Sequence, residues 1–209
     1  NTCRRVDLPP GARMPLATLL WNQPAGEGLR LLTFNLVLSG YKVPGQYVSA
    51  TVGDLKPAWF ALASSPGEPV QLLVKASGAT AEALAALEAG ADVRLSEPMG
   101  KGFDLAPTED RELVILATGS GISAVRPVIR AELAAGLPRP VTLLYGVLST
   151  RHRSFLADLE AWGNAGVKVH TVVGGEEIAD WDGATGFVQD EAERRGLLRD
   201  DVALVLCGL

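Results

Sequence analysis

The chain has 209 residues, enough for one large or two small domains with a hydrophobic core. Apolar residues make up 47% and charged residues 21%, a balance that excludes an intrinsically disordered chain. The formal net charge of -5, without a sustained Lys/Arg cluster, argues against a nucleic-acid partner, and no apolar run reaches the roughly 18 residues that span a bilayer.

The N-terminus, Asn1-Thr2-Cys3-Arg4-Arg5, lacks the charged-then-apolar layout of a signal peptide. The two cysteines, Cys3 and Cys207, lie near opposite ends and form neither a disulfide framework nor a metal-binding cluster. The two histidines, His152 and His170, are too few for a His-rich metal site. These features predict a soluble protein of a reducing compartment, cytoplasmic, or of the plastid stroma if a transit peptide has been removed.

From Leu16 to about Phe103 the texture is that of strands broken by turns. Strands are expected at Leu16 to Trp21, Leu29 to Leu36, Tyr47 to Val52, Trp59 to Ala63, Val70 to Ala76 and Asp92 to Leu95. Each is bounded by Gly, Pro or Asp groups such as Val43-Pro44-Gly45 and Ser65-Pro66-Gly67. Short strands at this spacing predict an antiparallel β-barrel, because closure removes the exposed edges of an all-β domain. One helix, Thr80 to Glu88, interrupts them, with Thr80 as the expected N-cap. Because it follows Ser77-Gly78-Ala79, its first amides are a candidate anion site; an ordinary capped helix closing the barrel is the alternative.

The polar, proline-containing stretch between Phe103 and Glu112 reads as an inter-domain linker. Beyond it strands and helices alternate: strand Leu113 to Ala117, helix Ser123 to Ala135, strand Val141 to Tyr145, helix Ser154 to Trp162, strand Lys168 to Val173, helix Phe187 to Arg195 and strand Val202 to Leu206. This alternation predicts an α/β doubly wound parallel sheet. Pro127 is expected in the first turn of its helix, where it removes no intrahelical donor. The first of these strands runs into Gly119-Ser120-Gly121, and Gly119-x-Gly121-x-x-Ala124 fits the loose glycine fingerprint of dinucleotide sites. Glycines there let the backbone turn tightly, and free amides at the next helix start favour an anion.

With a barrel first and a nucleotide-type α/β domain second, the chain resembles the ferredoxin-NADP reductase superfamily over nearly its whole length. The resemblance rests on ordered pieces: PGQYV from Pro44, FALASSP from Phe60, SGATAEAL from Ser77, EPMGKGF from Glu97, ATGSGIS from Ala117, LLYGV from Leu143, WDGATGFVQD from Trp181 and VLCG from Val205. Within the superfamily it looks most like the branch of FAD/NAD(P)-binding oxidoreductases that includes plant fruit proteins, with a more distant likeness to the electron-transfer subunit of dihydroorotate dehydrogenase. The resemblance implies an FAD-binding-type barrel over residues 1–105 and an NAD(P)-binding domain over 111–209. Hydride would pass from NAD(P)H to the flavin, and electrons would pass on to an unidentified acceptor. It assigns Phe60, Ala61, Leu62, Ala63 and Ser64 to the flavin ring and ribityl chain, and Gly78, Ala79 and Thr80 to its pyrophosphate. Gly119, Ser120, Gly121, Ile122 and Ser123 become the dinucleotide loop, and Gly146 the turn after the second strand of that domain. Cys207 falls beside the nicotinamide as the candidate catalytic residue; a small buried residue at a strand end is its other reading.

Three departures qualify this. The superfamily's usual flavin motif, Arg-x-Tyr-Ser, corresponds here to Ala58, Phe60 and Ala61, so a phosphate-pairing cation and two hydroxyls are missing, each contact worth about 1 to 3 kcal/mol. The pattern past Cys207-Gly208 that relatives continue is not reached before Leu209. After the second strand, where an NAD-selective Rossmann fold places an acid, Ser149-Thr150-Arg151-His152-Arg153 offers cations, which favours a 2′-phosphate. Gly174-Gly175-Glu176-Glu177, however, lacks the Ser-Arg pair of NADP-specific relatives, and the nucleotide is left as NAD(P). The expected function is therefore an FAD-dependent NAD(P)H oxidoreductase; the alternative is a binding or regulatory module on the same fold with weak or no flavin binding.

Overall fold

A computed structural model describes residues 4–6, 14–175 and 181–208. Cys3, Glu176, Glu177 and Leu209, named above, lie outside the described residues. The chain divides into two units, Asn1–Phe103 and Asp104–Leu209.

The first unit runs β1 (Arg4–Val6), β2 (Leu16–Pro24), β3 (Leu29–Phe34), β4 (Leu36–Leu38), β5 (Tyr47–Thr51), β6 (Ala58–Ala61), β7 (Gln71–Lys75), α1 (Ala79–Ala85) and β8 (Asp92–Leu95). Six of these strands form an antiparallel sheet in the order β6-β5-β8-β2-β3-β7. A bridge between Leu62 and Leu72, with the Ala63 N–H donating to the Gln71 carbonyl at 2.9 Å, joins the two end strands and closes the barrel. Inside, Leu19, Phe34, Val48, Leu72 and Leu95 interdigitate, and Ala81 and Leu84 of α1 belong to the same core. Removing this apolar surface from water is the main stabilising term of the unit.

The expected strand Leu29 to Leu36 is two strands. At the break, Asn35 Oδ1 accepts the Thr18 N–H at 2.8 Å while the Asn35 N–H donates to the Thr18 carbonyl at 2.9 Å. An amide side chain has taken over a ladder position, and the chain turns there. The helix also differs, because Gly78 at φ 87 is its N-cap and makes no side-chain cap. Thr80 is the second helical residue; its buried hydroxyl donates to the Lys56 carbonyl at 2.6 Å, so it ties α1 to the chain before β6 instead of capping.

The second unit runs β9 (Glu112–Thr118), α2 (Ile122–Ala134), β10 (Val141–Val147), α3 (Leu156–Asn164), β11 (Lys168–Val173), β12 (Ala184–Thr185), α4 (Val188–Arg194) and β13 (Val202–Cys207). Its sheet is parallel in the order β12-β11-β10-β9-β13. Burial on both faces explains the unbroken apolar run Leu113 to Ala117 in β9. From β9 the chain winds outward through β10 and β11 and returns with β13 on the other side of β9. The carboxyl ends of β9 and β13 are therefore the topological switch point, where open α/β sheets bind ligands.

The stretch expected to be a linker is held to this unit. Arg139, buried and paired with Glu132, donates to the Thr108 carbonyl at 2.6 Å. Pro127 is the sixth residue of α2, past its first turn, because Gly119–Gly121 winds as a 3-10 turn straight into a helix that starts at Ile122. Pro127 thus supplies no N–H to the Ser123 carbonyl.

Candidate nucleotide sites

At the switch point, β9 ends in Thr118 and the Gly119–Gly121 turn opens the 13-residue α2. The two glycines have different physical reasons. Gly119 has φ 52, a left-handed conformation, and a Cβ there would meet nothing within 4 Å, so its side is open. Gly121 has an ordinary helical φ of -60, but a Cβ would lie 2.5 Å from the Cys207 carbonyl oxygen and 2.9 Å from the Gly208 nitrogen. It is glycine because the turn must press against the end of β13. Gly208, at φ 98, is pressed in turn on Thr118, whose carbonyl oxygen would be 2.5 Å from an added Cβ.

Ile122 and Ser123 are buried, and the Ser123 hydroxyl donates to the Ser120 carbonyl at 2.8 Å, so both fix the turn from below. Gly146 is not in a turn. It sits within β10, paired with Thr118 and Val172, and a Cβ would be 2.8 Å from Val188 Cγ1. Its lack of a side chain makes room for the first residue of α4. Beyond β10, Ser149 Oγ holds His152 Nδ1 at 2.8 Å, and Arg153 donates from Nε to the Thr150 carbonyl while its guanidinium lies 5.9 Å from the Trp181 ring centroid. Arg151, His152 and Arg153 therefore share one ordered turn. Burial pushes the half-buried Cys207 thiol up, which keeps it protonated at neutral pH, and what it offers the glycine turn is its backbone carbonyl.

In the barrel unit, a cavity of about 480 Å³ is lined by Tyr47, Trp59, Phe60 and Ala61. Phe60 leans against the barrel core, whereas Trp59 is 66% exposed. Leu62, Ala63 and Ser64 are buried and offer the cavity no side-chain surface; Ser64 Oγ accepts the Gln71 N–H at 3.2 Å, and its carbonyl accepts the Tyr41 hydroxyl at 2.9 Å. The PGQYV and EPMGKGF pieces interlock around Tyr47. Tyr47 and Met99 exchange backbone hydrogen bonds at 3.1 and 2.7 Å, Gln46 donates to the Gly100 carbonyl at 3.0 Å, and a Cβ on Gly100 would be 2.8 Å from the Tyr47 ring.

A family model described as an oxidoreductase NAD-binding domain matches residues 115–209. A fruit protein, pKIWI502, of Actinidia deliciosa is 32% identical over 163 residues, covering 70% of this chain and 51% of that protein. An NAD(P)H-flavin reductase of Aliivibrio fischeri is 28% identical over 155 residues, covering 69% of this chain and 65% of that one. The solved structure of a ferredoxin reductase in carbazole 1,9a-dioxygenase superposes with a TM-score of 0.81 at 21% identity, covering 93% of this chain and 60% of that one. In sequence the chain is similar to members of the ferredoxin-NADP reductase superfamily, and it shares their fold. The matched stretch spans only about half to two thirds of these relatives, at 51%, 65% and 60%.

Superfamily members use FAD and NAD(P)H, and the residues present fit the two groups unequally. The dinucleotide half fits: an open, left-handed glycine and a long helix start meet at the switch point. The barrel cavity fits an aromatic ring system, since its volume and aromatic lining suit one, but none of its lining residues carries a charge for a phosphate. The Thr80 hydroxyl is committed elsewhere. Sequence reasoning missed Tyr47 and Trp59 as lining residues. Tyr47 lay inside a matched piece, but Trp59 gave no signal, because it comes beside Tyr47 only through the pairing of β6 with β5.

Proposed function

We propose that this chain is the flavin- and nicotinamide-binding part of an NAD(P)H oxidoreductase that passes electrons to an acceptor. The observation that carries the reading is the convergence of the Gly119–Gly121 turn and Cys207-Gly208 at the switch point of a parallel sheet. When bound, the cofactors supply the redox chemistry, hydride passing from the nicotinamide to the flavin. The protein's own work is binding and orientation. Amides of the glycine turn and the start of α2 would face the pyrophosphate, and Arg151, His152 and Arg153 the ribose side. The aromatic walls from Tyr47, Trp59 and Phe60 would hold the flavin ring, and the Gly78 to Thr80 segment its phosphates.

The uncharged cavity lining supports weak flavin binding, and it is also the observation that favours the second reading, a regulatory module on the reductase fold. Reconstitution with excess FAD followed by desalting separates the two. Protein that stays yellow and is bleached by anaerobic NAD(P)H supports the oxidoreductase; protein that is colourless, and that does not reduce added FAD either, refutes it.

A further inference from the structure

The side chain that organises the dinucleotide turn is not in the glycine motif. Tyr145, in β10, is fully buried. Its hydroxyl donates to the Gly119 carbonyl at 3.2 Å and accepts the Ser154 N–H at 3.2 Å. A buried phenol is unfavourable unless its oxygen is satisfied, and here both partners come from the two loops that follow β9 and β10. A phenylalanine would fill the same space, so packing alone does not call for the hydroxyl.

The geometry has a direct consequence for the turn. The Gly119-Ser120 peptide is trans, so its C=O and the Ser120 N–H point in opposite directions. Holding the Gly119 carbonyl down on the phenol aims the Ser120 N–H away from the buried ring. The same hydroxyl pins Ser154, next to the turn that carries Arg151, His152 and Arg153. One oxygen thereby sets the spacing between the turn facing the pyrophosphate and the turn facing the ribose. Burial pushes the phenol's pKa above its usual range, so the group remains a donor throughout the neutral pH range.

We propose that Tyr145 is a positioning residue for the nicotinamide dinucleotide, acting through the Gly119-Ser120 peptide and the Ser154 amide. The inference rests on the reading of the second unit as a dinucleotide site. The test is Tyr145→Phe in the full chain, with NADP+ and NAD+ titrated by calorimetry and backbone amide exchange followed without nucleotide. Both dissociation constants are expected to rise about tenfold, as loss of one orienting hydrogen bond at a charged ligand implies. Steady-state assays are expected to show the rise in KM with kcat within about twofold. The Ser154 amide should exchange faster while those of β9 and β10 keep their protection.

A general loss of fold would instead lower the number of binding sites at an unchanged dissociation constant, and that result overturns the proposal. So does a Tyr145→Phe protein that binds both nucleotides within twofold of the native chain. If the native chain itself binds neither nucleotide, the dinucleotide reading falls and takes this inference with it; native binding with an unaffected variant refutes the inference alone.

Discussion

Replacing Gly121 with alanine tests the close approach on which the site is built. Gly121 has φ -60, which alanine adopts without strain, so any loss is steric. The added carbon would lie 2.5 Å from the Cys207 oxygen, 2.7 Å from its carbonyl carbon and 2.9 Å from the Gly208 nitrogen. All three atoms are backbone, and Gly208 is itself wedged against Thr118, so relief requires the turn and the end of β13 to separate. Overpacking of this kind costs about 2 to 3 kcal/mol. Gly163→Ala is the control: in α3 a Cβ meets nothing within 4 Å, and alanine is expected to stabilise by about 0.5 to 1 kcal/mol. Urea unfolding followed by near-ultraviolet circular dichroism, with NADP+ affinity measured on each protein, reads both effects. Gly121→Ala should lose stability and bind NADP+ at least about tenfold more weakly, since the shift of the turn moves its amides. A Gly121→Ala protein within about 0.5 kcal/mol of the native chain and with unchanged affinity would show that the turn and β13 are not in contact as argued.

Trp59→Ala should weaken FAD binding about five- to tenfold in fluorescence titrations, whereas Trp21→Ala, also exposed but outside the cavity lining, should not; equal effects would remove Trp59 from the site. Arg151→Ala should raise the KM for NADPH by about tenfold or more and leave that for NADH unchanged, because only the former carries the 2′-phosphate; parallel changes in both would refute the assignment of this turn. Burial first, and then Arg195 and Lys168, push His170 below its usual range, against the pull of Glu191. The unfolded chain therefore takes up the proton first as pH falls. Stability should be level above about pH 6.5 and decline below it, and His170→Gln should flatten the decline in urea midpoints measured between pH 7.5 and 5.5. An unchanged slope would mean that His170 is not its source.

Much of the fold was legible because its signals are local. Turn residues bounded β2 and β8, and the unbroken apolar run of β9 announced a sheet buried on both faces. The misreadings are those in which a partner far along the chain decides. Thr80 has the chemistry of an N-cap, but its hydroxyl found the Lys56 carbonyl, 24 residues away. Gly146 reads as a turn residue, but its bareness serves Val188 of α4. Leu62 to Ser64 are a different case: barrel closure buries their side chains, which leaves only their backbone to serve the flavin assignment.

By itself, then, the sequence determined the order of elements, the two-unit plan and the glycine turn, since each follows from short-range backbone sterics and the period of apolar residues. The tertiary structure alone decided what each special residue is for. Gly119 faces open space and Gly121 faces the chain's own backbone, although both answer to the same motif. Tyr145, which no motif singles out for its hydroxyl, becomes the anchor of that turn because parallel pairing sets β10 beside β9, within reach of Gly119. Spacing along a chain encodes which backbone shapes are allowed. Which atoms then meet depends on strand register and helix packing, which only the folded chain brings into being.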